Sequence, residues 1–194
     1  MSNTVKKFTI YDMAVIGVMA AICFVVTYFI KIEFPTPAGP VMLKLANAFC
    51  LLAGMLFGGV RGGLAAGIGS MLYDLMDPKY ITDAPFTLIR FFLMAFICGI
   101  ICFSKMDKGN QTLRNIIGAT AGSLFSVAFY FTQSIIKQLL LGQPFNVAIL
   151  NIIPKMGTSL INAVIAVVIA SLLAPILKNA LKRAGLYQKI NVKC

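Results

Sequence analysis

Apolar residues gather into six long blocks, about 10–31, 44–60, 62–76, 85–103, 115–137 and 149–177, and charge falls mainly in the intervals between them. Blocks of this kind predict helices in a membrane, where a hydrocarbon core needs about 20 apolar residues per span. The second and third blocks are each slightly short, and they are expected to hinge at Arg61 in the run GGVRGG. Neither would be stable alone. Small residues four apart, Gly54 with Gly58, Gly63 with Gly67 and Ala65 with Gly69, supply what length does not, because they let helix backbones approach closely in lipid. The pattern predicts one all-α integral membrane domain over residues 1–194, with six transmembrane helices. The first outer loop is long and carries Pro35, Pro37 and Pro40, which disfavour helix and prefer extended or turn geometry. It can serve as a lid over a site or as a plain connector.

Composition supports the membrane reading. The chain has 194 residues, 59% of them hydrophobic, and a mean hydropathy of +0.90. Its net charge of +11 invites a nucleic-acid partner, but the distribution opposes one. With the N-terminus cytoplasmic, eleven of the 17 lysines and arginines fall on cytoplasmic segments: Lys6, Lys7, Arg61, Lys105, Lys108, Arg114, Lys178, Lys182, Arg183, Lys189 and Lys193. That is the bias that orients membrane proteins, so both termini are expected in the cytoplasm and nucleic acid is not expected as a partner. The residues from Lys178 onward read as a basic interfacial anchor. The start of the chain runs straight into the first apolar block without a small-residue cleavage site, so the first helix is expected to stay.

Candidate chemistry is sparse. The chain has no histidine, which removes a Ser-His nucleophile, and it lacks the glycine-rich GK[ST] loop that would bind and hydrolyse ATP. Cys23, Cys50, Cys98 and Cys102 lie in apolar blocks as small hydrophobes, and neither a disulfide, a metal site nor a cofactor is expected from them or from Cys194. An enzyme is not expected.

What remains is a set of polar residues that lipid would penalise. Asn47, Asp74, Arg90, Gln133, Lys137, Asn151 and Lys155 all fall in the outer third of their helices. A charge at membrane depth costs about 2.5–3.5 kcal/mol even on lenient scales, so their concentration predicts one outward-facing polar pocket. Tyr80 and Tyr130 offer aromatic faces beside it, although Tyr80 could equally be a belt residue and the cations could snorkel to the interface. On helix one, Ala14, Gly17 and Ala21 form a smooth face, suited either to ordinary packing inside the bundle or to a partner protein.

The stretch LKLANAFCLLAGMLFGGVRGGLAAGIGSMLYDLM, followed by YITDAPFTLIRFFLMAFICGII, resembles the substrate-binding S components of energy-coupling factor (ECF) vitamin transporters, particularly the riboflavin-type group. The resemblance implies a multi-pass protein of a prokaryotic plasma membrane. Such a protein captures a water-soluble vitamin from outside and works with a transmembrane coupling subunit and two ATPase subunits. Riboflavin is the first expectation, with pyridoxine, hydroxymethylpyrimidine and cobalamin carried by related groups. It further implies ligand contacts from the first outer loop and the outer ends of helices four to six, here Arg90, Gln133, Asn151 and Lys155. It also implies a coupling-subunit contact at Ala14, Gly17 and Ala21, where Gly17 stands in place of an alanine. Against this stand two alternatives, a self-sufficient small carrier, which would need inverted repeats, and a non-transporting membrane scaffold.

Overall fold

The computed structural model describes residues 9–34, 41–104 and 111–189. The chain is mostly helical. Helix α1 (Ile10–Phe29) is followed by two short strands, β1 (Lys31–Phe34) and β2 (Val41–Lys44). Then come α2 (Ala46–Phe57), α3 (Gly59–Met76), a single 3₁₀ turn over Ile81–Asp83, α4 (Ala84–Phe103), α5 (Gln111–Leu140), α6 (Phe145–Arg183) and the short α7 (Leu186–Lys189). Among the described residues α1, α4 with its leading turn, α5 and α6 are long and apolar enough to cross a membrane.

The all-α expectation needs one correction. Strands β1 and β2 pair antiparallel, with Lys31 opposite Lys44 and Glu33 opposite Met42. A segment with too many prolines for a helix still has backbone groups to satisfy, and pairing its two flanks satisfies them. Pro35, Pro37 and Pro40 themselves lie outside the described residues.

Helix α2 spans only 12 residues, about 18 Å at 1.5 Å per residue, well short of a hydrocarbon core of about 30 Å. Its surroundings explain how it persists. Ala48, Cys50, Leu51, Leu52, Ala53 and Met55 are fully buried, packed against α3, α4 and α6, so α2 meets protein on its sides where a longer helix would meet lipid. The break between α2 and α3 falls at Gly58, not at the expected Arg61. Gly58 adopts φ 84°, a conformation costly for any residue with a Cβ, and its N–H donates to Gly54 O at 3.0 Å to close α2.

Arg61 is not a free turn residue but part of a helix. It sits in the first turn of α3 and forms an ion pair with Asp12, Nε to Oδ1 at 2.8 Å. Asp12 is almost fully buried and doubles as a capping partner for α1, accepting from the Thr9 N–H at 2.8 Å while Thr9 Oγ1 accepts from its own N–H at 3.3 Å. Lys178 is no surface anchor: α6 continues through it to Arg183, and its buried Nζ donates to Asn115 Oδ1 of α5 at 3.0 Å.

Glycine contacts join the helices into one bundle. A Cβ placed on Gly54 would lie 2.4 Å from Ala95 O of α4, on Gly69 2.4 Å from Ala20 O of α1, and on Gly122 2.6 Å from Met94 O. The stripe Ala166, Ala170 and Ala174 of α6 is buried in the same core. Cys23, Cys50, Cys98 and Cys102 are buried free thiols, and Cys194 lies outside the described residues.

The strand pair is fastened to the α3–α4 connection by ions. Lys31 Nζ contacts Glu33 Oε1 at 2.8 Å, donates to the Tyr73 hydroxyl, and lies 3.7 Å from Asp77 Oδ2, while Lys79 Nζ reaches Glu33 Oε2 at 3.1 Å. Lys31 above all, and Lys79 after it, hold the Glu33 carboxyl below its usual pKa. For Asp77, burial pushes upward, but the Lys79 amide, the Tyr73 hydroxyl and the two lysines outweigh it and leave it lowered too. Acids with depressed folded-state pKa values contribute stability above their unfolded values, and that contribution is lost as pH falls through the folded ones. The fastening is therefore constant from neutral pH down to the ordinary carboxylate range of about 4 and is lost below it. Melting followed against pH should show this acid limb, and Glu33→Gln should flatten it. An unchanged limb in the variant would remove Glu33 from the fastening.

Candidate functional site

Under the strand pair the helices enclose a polar cavity of about 240 Å³, at the small end for ligand pockets. Its walls come from seven segments, each for a local reason. Strand β2 and the start of α2 bring Lys44 and Asn47; the last turn of α3 brings Asp74; the α3–α4 connection brings Lys79, Tyr80 and Asp83; α4 brings Thr87 and Arg90. Helix α5 adds Ser123, Ser126, Tyr130, Gln133, Ser134, Lys137 and Gln138, spaced so that one helical face looks inward, and α6 adds Lys155, Thr158, Ser159 and Asn162.

Of the nine side chains expected at a site, eight line this cavity: Asn47, Asp74, Tyr80, Arg90, Tyr130, Gln133, Lys137 and Lys155. Asn151 stands behind the wall, where its Nδ2 donates to Gln138 Oε1 at 3.3 Å. Sequence reasoning missed Lys44, Asp83 and Asn162. The Asn162 amide works as an extra strand: Nδ2 donates to Met42 O at 2.7 Å and Oδ1 accepts from Lys44 N at 2.9 Å. An asparagine inside INAVIAVVIASLL was the available signal, since an amide there must find polar partners.

The charges divide into two kinds. At the rim, Lys137 Nζ lies 2.9 and 3.0 Å from the Asp83 carboxylate oxygens, and Gln133 Nε2 donates to Asp83 Oδ1 at 3.3 Å, so α5 is pinned to the α3–α4 connection. Deeper in, Arg90 forms no ion pair with Asp74 among the described residues. Its Cζ instead lies 4.6 Å from the ring centroid of Phe91 and 4.9 Å from that of Tyr130. Lys44 Nζ stands over the same Phe91 ring at 5.3 Å. Asp74, buried, interacts with Thr87 and electrostatically with Lys44 and Arg90. Cations on aromatic faces keep a share of their solvation without giving up their hydrogen-bond donors.

Several buried polar atoms of residues in the wall have no hydrogen-bond partner among the described residues: Asn47 Oδ1, Tyr80 OH, Arg90 Nε, Ser123 Oγ and Gln138 Nε2. Leaving such a group unpaired costs about 1–3 kcal/mol. Among the described residues no cluster of three or more His, Cys, Asp or Glu side chains occurs.

A bundle of apolar helices that surrounds a small polar cavity defines a solute-binding membrane protein. Its family follows from comparison: a family model described as "ECF-type riboflavin transporter, S component" matches residues 7–180, and the chain belongs to that family. It is thus the substrate-binding subunit of a transporter and not an enzyme. One similar solved structure, described as "Structure and mechanism of the S component of a bacterial ECF transporter", covers 88% of this chain and 97% of its own, with a TM-score of 0.63 and 21% identity. That likeness shows the shared fold. Among curated proteins nothing matches. Members of the family bind vitamin-like substrates and work with a module of membrane and ATPase subunits.

Proposed function

We propose that this chain captures a water-soluble vitamin, riboflavin first among the candidates, at the outer face of a prokaryotic plasma membrane. It then passes the vitamin inward together with a transmembrane coupling subunit and two ATPases. The observation that carries this reading is the cavity, walled by apolar helices and roofed by the ion-fastened strand pair, with five polar atoms of its wall residues unpartnered among the described residues. In this proposal all six longer helices cross the membrane, both termini are cytoplasmic and the strand pair lies outside. The eight cavity residues, with Asn151 in support, hold the vitamin. A volume of about 240 Å³ favours a compact heteroaromatic, a flavin or a pyridoxine or hydroxymethylpyrimidine ring, over a corrinoid many times larger.

The direct test is to purify the protein alone in detergent and identify what it carries, by visible absorption and by mass spectrometry of the released molecule. A bound flavin confirms the first candidate, and another vitamin renames the substrate. A protein that is empty and binds nothing from a vitamin panel rejects the capture reading in favour of a membrane scaffold.

The face for the coupling subunit is Ala14, Gly17 and Ala21. All three are exposed, and a Cβ on Gly17 would meet nothing within 4 Å, so this smooth stripe is not consumed by packing among the described residues. Gly17→Leu should leave vitamin affinity unchanged and reduce uptake by about tenfold or more, since a bulky side chain blocks close helix approach. Normal uptake in cells would remove helix one as the docking face.

A further inference from the structure

Three cations in the cavity wall are left without an acid of their own. Five cationic side chains line it, Lys44, Lys79, Arg90, Lys137 and Lys155. Two of these are committed at the rim, Lys137 to Asp83 and Lys79 to Glu33. Lys44, Arg90 and Lys155 remain, none in an ion pair within 4 Å among the described residues; Asp74 acts on Lys44 and Arg90 only at longer range, and Asp83, already held by Lys137, on Arg90 and Lys155. Two positive charges are thus unbalanced in a site walled by protein.

Their placement concentrates that excess. Lys44 and Arg90 stand over one ring, that of Phe91, so they are no farther apart than the two ring distances combined, about 10 Å. Arg90 lines the cavity, and its Nε is buried without an acceptor among the described residues. Snorkelling would carry such groups out to the interface, yet Arg90 and Lys44 are held inward on an aromatic face. Like charges held together and partly desolvated repel, and an anion between them relieves that repulsion and supplies the missing acceptors.

We infer that the cavity takes an anionic solute, a phosphate monoester or equivalent dianion, seated against Arg90, Lys44 and Lys155. This rests on the reading of the cavity as the vitamin site, and makes the phosphorylated form of a vitamin a better ligand than its neutral parent. Asp74, beside the cations, then meets the uncharged hydrogen-bonding part of the molecule.

The test is calorimetric titration of the purified full chain with two matched pairs: riboflavin and riboflavin 5′-phosphate, pyridoxine and pyridoxine 5′-phosphate. The expected result is that one phosphate ester binds at least about tenfold more tightly than its parent. Arg90→Met and Lys155→Met should each close that gap, whereas Lys182→Met, exposed at the far end of α6 and outside the cavity lining, should leave it. If the neutral parent binds as tightly as its ester, the inference is overturned while vitamin capture stands. If no member of either pair binds, those two vitamins are rejected as substrates. The anion inference is then decided by melting the protein in inorganic phosphate against chloride at equal ionic strength. Stabilisation by phosphate that Arg90→Met abolishes upholds it, and equal melting in both salts overturns it.

Discussion

Arg90→Ala should weaken binding of the captured vitamin by about tenfold to a hundredfold while the protein stays folded. Arg90 lies in the second turn of α4, lines the cavity, and packs its guanidinium against the rings of Phe91 and Tyr130 with Nε buried and unpartnered among the described residues. A hydrogen bond from a charged donor contributes about 1.5–3 kcal/mol, and each 1.4 kcal/mol is a factor of ten in affinity. Folding should survive, because Arg90 forms no ion pair in the protein among the described residues that its loss would orphan. Lys155→Ala should act in the same direction and less strongly, being nearer the rim and more open. Equilibrium titration of both variants, with helicity and melting as controls, decides the matter. Unchanged affinity in both would remove the cavity as the binding site.

Gly54→Val should be among the most damaging single substitutions for stability, lowering it by about 3 kcal/mol or more, the upper end for overpacked cores. The Cβ it adds would stand 2.4 Å from the Ala95 carbonyl oxygen, a backbone atom that cannot turn aside as a side chain would. Relief requires α2 and α4 to separate, and α2 is too short to persist without the protein around it. Gly157→Ala is the control: nothing lies within 4 Å of the added Cβ, so melting should be unchanged or slightly raised, as expected when a helical glycine becomes alanine. The comparison is read from melting in detergent, and equal melting of Gly54→Val and wild type would refute the close α2–α4 contact.

Much of the site could be read from the chain because lipid is an unforgiving solvent. Asp74 and Arg90 stand out in apolar blocks, and spacing alone places Tyr130, Gln133 and Lys137 on one helix face. Asn162 escaped notice because a lone amide gives no hint of a strand 120 residues away whose backbone it completes. Lys44 escaped because it precedes a helix, where a lysine is ordinarily solvated, and only pairing of β1 with β2 turns it inward. Arg61 and Lys178 were misjudged for the same reason: their partners, Asp12 and Asn115, are remote in sequence.

The sequence by itself determined the solvent, the helical blocks, the close-packed glycines and the types of polar group brought to one end, since each follows from local composition and from spacing of three or four residues. Tertiary structure decided which of those groups meet. Pairing the Pro-rich flanks into strands, breaking the α2–α3 connection at Gly58, and dividing five cations into two neutralised and three exposed to the cavity all depend on contacts between distant segments. Local spacing carries no information about those contacts, because hydrogen bonds and ion pairs are set by where the helices pack and not by the order in which their residues occur.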